Sequence, residues 1–450
     1  MPLIIPSNDI YISIISKYVA IVIFLLFVII MFNNITHHLT QPYIDEIFHL
    51  RQCQTYCQYN FHHWDNKITT PPGLYILGFI YSEGIKILTR SSSTGGGGGG
   101  GHLTCFNDNV LRSINLIGGV VILPRILQQF HNGWSKNSKN QFFWSINIIS
   151  QPLLFTYYFL FYTDVWSTIL IILSLGLINY KLLQYPMLSA LVGFMSLWFR
   201  QTNIIWIAFI ASIFIDRQIK IKTGVIDRIR QFIMKSLTNW NKLLGYIVNI
   251  ILFVIFLKLN GGITLGDNDN HQIELHIVQV FYCFTFITFF TIPNWLNKST
   301  IKKYYNFIIN HIILNLIIGL IIWYIMENFT IVHPFLLADN RHYAFYIYKR
   351  LLSQSYLKPL ILLAYHFSSF QIISSLIKGG QLSFIGIFSY LIAVGLTLIP
   401  SPLFEPRYYI TPLIIFNLYI NHPHNLLEFI WLNSINLITS YIFLHKGIIW

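Results

Sequence analysis

Apolar runs recur along this 450-residue chain, most of them of membrane-crossing length, at about 14–33, 107–127, 142–161, 165–183, a broken pair at 186–199 and 202–215, then 244–260, 277–294, 305–325, 355–371, 382–400, 407–421 and 427–446. A helix needs roughly 20 apolar residues to cross the hydrocarbon of a bilayer, and within it only helices or closed barrels satisfy their own backbone. Charged residues make up 10% of the chain, against about 25% in soluble domains. The expected fold is therefore an all-α polytopic membrane protein with about 12–14 transmembrane helices. No stretch reads as a separate soluble domain.

Positive residues set the orientation, because short cytosolic loops collect Lys and Arg. The segment 216–243 holds Arg217, Lys220, Lys222, Arg228, Arg230, Lys235 and Lys242, and is read as a basic cytosolic loop. It separates an N-terminal membrane module (1–215) from a C-terminal one (244–450). The loops with Lys136 and Lys139, and with Lys298, Lys302 and Lys303, take the same side. The net charge of +13 is thus a topological signal, and nucleic acid is excluded as a partner. Counting spans places residues 34–106, 162–164, 261–276 and 326–354 on the opposite, lumenal face, together with the break Arg200-Gln-Thr-Asn203. This parity requires 74–88 to lie along the interface as an amphipathic helix. Ser91–Gly101 reads as a low-complexity linker. Tyr18–Phe32 reads as a retained first span rather than a cleaved leader.

Four cysteines do not suggest a disulfide framework. Cys53 and Cys57 read as neighbours on a helix face, suiting neither a structural bridge nor a CxxC site. A zinc site from Cys53, Cys57, His62 and His63 is conceivable by residue type, but the ligand spacing is wrong.

The chemistry-bearing residues gather on the lumenal side. Tyr43-Ile-Asp-Glu-Ile-Phe-His49 follows the first span directly. A carboxylate there, Asp45 or Glu46, could act as general base on an alcohol; otherwise the acidic pair serves the dipole of a helix start. His49, Trp64 and Asp65 share its loop. In His333-Pro-Phe-Leu-Leu-Ala-Asp-Asn-Arg-His-Tyr343, Arg341 and His342 suit an anionic phosphate, with Asp339 either beside them or capping a helix. Asp164 is an extra carboxylate or a helix cap. Arg200, costly within apolar sequence, is a functional candidate or the structural ion partner of Asp164. Arg407 is a second anion ligand or an interfacial anchor. Gly266-Asp-Asn-Asp-Asn-His271 lacks the length and terminal Glu of a calcium loop and reads as a polar loop facing an acceptor.

Taken in order, Tyr43–His49, Trp64-Asp65, Ile68-Thr-Thr-Pro-Pro-Gly-Leu-Tyr75, Leu111-Arg-Ser-Ile-Asn115, Tyr162-Thr-Asp164, Arg200–Asn203 and His333–Tyr343 resemble the eukaryotic dolichyl-phosphate-glucose α-1,2-glucosyltransferases of the endoplasmic reticulum, over essentially the whole chain. The poly-Gly tract looks like an insertion, and Pro406 stands where an aromatic residue is expected. The resemblance implies a GT-C type, multi-pass enzyme with a lumenal active site. It would transfer glucose, with inversion, from dolichyl-phosphate glucose to a diglucosylated dolichyl-diphosphate oligosaccharide, the last step of precursor assembly for N-glycosylation. Asp45 would be the base, with Glu46 close behind. Arg341, His342 and Asp339 would hold the donor phosphate and sugar, with Arg200 and Arg407 in reserve. His49, Trp64, Asp65 and Asp164 would support the acceptor. No cofactor and no metal are expected. A related mannosyltransferase, or less readily a lipid or sugar transporter, is the alternative.

Overall fold

The computed structural model describes residues 8–39, 41–92, 104–134, 141–179, 184–219, 224–267 and 271–450. The poly-Gly tract, Lys136, Lys139, Lys220, Lys222 and Asp269 lie outside them. The described residues form helices α1 (Asn8–His38), α2 (Glu46–Cys57), α3 (Gly73–Ser92), α4 (Asp108–Trp134), α5 (Gln141–Ile149), α6 (Asp164–Asn179), α7 (Pro186–Leu197), α8 (Asn203–Asp216) and α9 (Val225–Thr238). They continue with α10 (Trp240–Asn260), α11 (Gln279–Phe290), α12 (Lys298–Asn310), α13 (Ile312–Asn328), α14 (Lys358–Gly379), α15 (Phe384–Leu398), α16 (Ile410–Tyr419) and α17 (Asn425–Lys446), with short turns of helix between. No strand forms among the described residues; a lone bridge joins His342 to Ile449.

The architecture is an all-α polytopic membrane protein. Tyr18–His38, α4, α10, Ser355–Gly379 and α17 are long and apolar enough to cross a bilayer. Shorter apolar helices, α6, α7, α8, α11 and α15, fill other expected windows without reaching full crossing length. Helices of the two sequence halves interlock: α17 packs on α5 and α1, and α15 on α8.

Two expected spans are not continuous. The window 142–161 is helical only to Ile149; Gln151-Pro152 restarts the chain as a short helix and a 3-10 turn, and Leu160 is extended. Proline cannot continue the hydrogen-bond ladder, and irregular backbone at this depth needs partners from the protein. Asn115 supplies them, donating through Nδ2 to the carbonyls of Leu160 and Tyr162 at 2.7 Å each. The window 305–325 is split at His311, where α12 and α13 meet at 98°. Lys298, Lys302 and Lys303 keep α12 polar on one side, and the pair forms a broken span or a re-entrant loop.

The cysteine reading is also corrected. Cys57 and Cys105 form a disulfide, and Cys53 and Cys283 are free and buried. The chain between them folds back through α3, which packs on α2, so residues 48 apart in sequence meet. The sulfur of Cys53 lies with those of Cys57 and Cys105, while His62 and His63 are exposed and outside that group. The zinc set read from the sequence is therefore not assembled, since Cys57 is spent in the bridge.

Candidate active site

The site begins at the turn into α2. Ile44 adopts φ 52°, a left-handed conformation that a β-branched residue rarely takes. Glu46 holds it there. Its Oε1 accepts from Nε of Arg112 at 2.9 Å and from the Phe161 N–H at 2.8 Å. Its Oε2 accepts from Nη2 of Arg112 at 2.7 Å and from the Tyr43 N–H at 3.0 Å. Both side chains are almost wholly buried, Glu46 at 0% and Arg112 at 1% exposed. A carboxylate with four donors and no solvent access has no lone pair left for a substrate proton. Glu46 is placed as a structural pin.

Asp45, one residue earlier, faces the other way. Its side chain keeps 44% of its accessibility, and Oδ2 accepts from Nη1 of Arg407 at 3.2 Å. Arg407 stands on a 3-10 turn after Glu405-Pro406 and donates from Nε to Glu405. These groups line a cavity of about 940 Å³ shared with His49, Lys67, Thr69, Thr163, Asp164, Arg200, Gln201, Asp267, His271 and Tyr408. The volume suits a sugar together with part of a second substrate.

A second ion pair stands in the same wall. Arg200, in the break between α7 and α8, donates to Asp164 at the start of α6, 2.6 Å away. The break is supported from below: Nδ2 of Asn203 donates to Oγ of Ser167 at 2.8 Å and to the Ser196 carbonyl at 3.0 Å. It is also gripped by the Pro-Pro-Gly segment. The Gly73 N–H donates to the Trp198 carbonyl at 2.7 Å, and Nε2 of Gln201 donates to the Thr69 carbonyl at 2.7 Å. A Cβ on Gly73 would lie 2.5 Å from that Trp198 oxygen, which is why the position takes glycine. On the far side, the N–H groups of Leu265 and Asp267 donate to the carbonyls of Thr69 and Asn66 at 3.2 and 3.0 Å. The polar loop with Asp267 and His271 thereby becomes a cavity wall.

Sequence-predicted residues divide into two groups. The cavity brings together Asp45, His49, Asp164, Arg200 and Arg407. Asp339, Arg341, His342, Trp64 and Asp65 are outside its lining. Arg341 is spent on Asp339 through 2.8 and 2.7 Å bonds and is exposed, so it does not reach into the cavity as a phosphate ligand. The loop is anchored instead through its backbone: the Tyr343 N–H donates to the Ile449 carbonyl and the Ile449 N–H to the Arg341 carbonyl, both at 2.8 Å. Trp64 packs on Tyr75 with ring centres 5.9 Å apart, and Asp65 accepts from the Lys67 N–H. Sequence reasoning overlooked Lys67, Gln201 and Tyr408, and the roles of Arg112 and Asn115 within the Leu111–Asn115 motif.

Charge in the site is tuned by these neighbours. Burial pushes the Asp45 carboxyl up, but Arg407, and then His49 and His342, outweigh it and leave it below its ordinary value. His49 is driven down to about 4, chiefly by burial against the opposing pull of Asp45; it is neutral at pH 7, with Nδ1 2.7 Å from the Tyr75 hydroxyl. The cavity thus presents a carboxylate in its basic form next to guanidinium groups and hydrogen-bonding walls, the equipment for removing a proton beside an anion.

The sequence profile of the DIE2/ALG10 family matches residues 39–418, a stretch that includes every residue of the cavity wall. The chain belongs to the DIE2/ALG10 family. It is 99% identical, over the full length of both chains, to a Candida albicans protein named Dol-P-Glc:Glc(2)Man(9)GlcNAc(2)-PP-Dol alpha-1,2-glucosyltransferase. A Debaryomyces hansenii protein of the same name is 48% identical over 95% of each chain, and a Homo sapiens one is 33% identical over 94% of this chain and 93% of its own. No solved structure matches this DIE2/ALG10 chain.

Proposed function

We propose that this protein transfers glucose from dolichyl-phosphate glucose, in α-1,2 linkage, to the diglucosylated oligosaccharide on dolichyl diphosphate. The observation that carries this reading is the 99% identity over all 450 residues to a relative bearing that activity in its name. The cavity holding Asp45 and Arg407 supplies the chemistry. The enzyme is a multi-pass membrane glycosyltransferase of GT-C type, placed in the endoplasmic reticulum with its cavity open to the lumen.

Asp45 is the base. Its carboxylate takes the proton of the acceptor 2-hydroxyl as that oxygen attacks the anomeric carbon, while the bond to dolichyl phosphate breaks on the opposite side. Configuration at the sugar inverts, and the dolichyl phosphate departs as an anion. Arg407 and Arg200, both in the cavity wall, stabilise the charge that develops on the leaving phosphate, as fixed cations do in a water-poor site. Asp45 is held by Arg407 through a 3.2 Å contact. When the donor phosphate draws that guanidinium to itself, the carboxylate loses its strongest acidifying neighbour and becomes a better base. The wall of Lys67, Asp267 and His271 offers hydrogen-bonding groups to the terminal glucose of the acceptor.

The test is an assay of purified protein with labelled dolichyl-phosphate glucose and a diglucosylated lipid-linked acceptor, with dolichyl-phosphate mannose in parallel. Glucose transfer that vanishes in Asp45→Asn supports the reading. Transfer of mannose in preference to glucose would overturn the donor, and full activity of Asp45→Asn would overturn the base.

A further inference from the structure

We infer that Tyr408 is a positioning residue that fixes both cavity arginines for the donor phosphate, an inference that rests on the glucosyltransferase reading. The Arg200 guanidinium lies 5.6 Å from the centre of the Tyr408 ring, and that of Arg407 5.8 Å. The two arginines come from distant parts of the chain, the α7–α8 break and the turn before α16. Tyr408 is a contact they share. The backbone that carries the ring is held by the Tyr408 N–H donating to the Glu405 carbonyl at 3.0 Å, and the residue lines the same cavity as Asp45.

What makes this contact useful is what a phosphate does to the others. Arg200 otherwise leans on Asp164, and Arg407 on Asp45 and Glu405. An arriving phosphodiester competes with those carboxylates for the same N–H groups, and Asp45 is the stronger base once Arg407 has turned to the phosphate. A guanidinium freed in this way regains the rotamer freedom of a long side chain. The attraction of a cation to an aromatic face uses no N–H donor, so phosphate binding leaves it intact. The ring therefore keeps both cations aimed at one point through the exchange of their anionic partners. Its effect falls on the substrate that carries the phosphate next to the reacting carbon.

The experiment compares Tyr408→Leu and Tyr408→Phe in purified protein, varying donor and acceptor separately and adding sugar-free dolichyl phosphate as a competitive inhibitor. The expected result for Tyr408→Leu is a donor KM raised about tenfold, consistent with a cation–π contribution at a partly desolvated site. The inhibition constant of dolichyl phosphate rises in parallel, the acceptor KM stays within about twofold, and kcat falls less than the donor KM rises. Tyr408→Phe, which keeps the ring, recovers most of the donor affinity. Tyr408→Met fills similar volume without a ring and replaces the leucine variant should that one not fold. The inference is overturned if the ringless variant binds donor and dolichyl phosphate as the parent does, or if the acceptor KM rises instead. Absence of glucose transfer by the parent protein would sink the functional reading alone, and direct dolichyl phosphate binding would still judge Tyr408.

Discussion

Asp45 and Glu46 are adjacent carboxylates, each bonded to an arginine, and the contrast between their surroundings separates scaffold from chemistry. Glu46 and Arg112 exclude water and satisfy each other, with backbone N–H groups completing the set. Asp45 and Arg407 meet through one bond of 3.2 Å at the edge of a large cavity. A saturated buried pair has no capacity for a ligand, and its loss leaves an uncompensated charge. A half-open pair can exchange partners. Proximity in sequence says nothing about which member does what; the count of free lone pairs does.

The largest expected effect is at the scaffold. Glu46→Ala leaves the buried Arg112 guanidinium unpaired, a loss of about 3–5 kcal/mol for a broken buried pair. Thermal unfolding in detergent should show a sharply lowered midpoint or no folded protein, whatever the substrate. Next comes Asp45→Asn, which should leave that midpoint near the parent value and lower kcat roughly 100- to 10,000-fold, the range of general-base catalysis. If Asp45→Asn unfolds the protein while Glu46→Ala only slows it, the two assignments are exchanged and the comparison breaks.

The all-α, membrane-spanning character was legible because it rests on composition over long windows, in recurring apolar runs. The helix at 74–88 and the break at Arg200–Asn203 were readable from Pro-Pro-Gly and from a lone arginine in apolar sequence. The breaks at Gln151-Pro152 and His311 were less visible, since the flanking residues are as apolar as a continuous span. Whether a carboxylate is saturated depends on partners far along the chain, Arg112 and the Phe161 N–H for Glu46 and Arg407 for Asp45. No local pattern encodes that. The same holds for Tyr408, an aromatic residue in a chain that is 17% aromatic.

Arg407→Gln sharpens the half-open side of the comparison through pH. The Asp45 carboxyl is raised by burial and lowered by a larger combined pull in which Arg407 leads. Removing that cation takes away the leading downward pull, so the carboxyl titrates at higher pH than in the parent. A general base works when deprotonated, and the acid limb of kcat against pH should therefore move upward. As pH falls, the variant should lose rate before the parent does. Identical acid limbs would mean that Arg407 does not govern the base.

The smallest expected effect is at Arg341. Its side chain is half exposed and engaged with Asp339 two residues away, an ion pair of the kind that contributes about 0–1 kcal/mol. The loop keeps its shape without it, because the backbone at Arg341 and Tyr343 is paired with Ile449. Arg341→Gln should consequently leave the unfolding midpoint in place and change kcat/KM by less than about threefold, in line with that energy. A fall of a hundredfold at unchanged stability would carry a different message. It would mean that the 333–343 loop swings from its resting place against Ile449 to close over the bound phosphate. The division between the cavity wall and the Asp339–His342 end of that loop would then not hold during turnover.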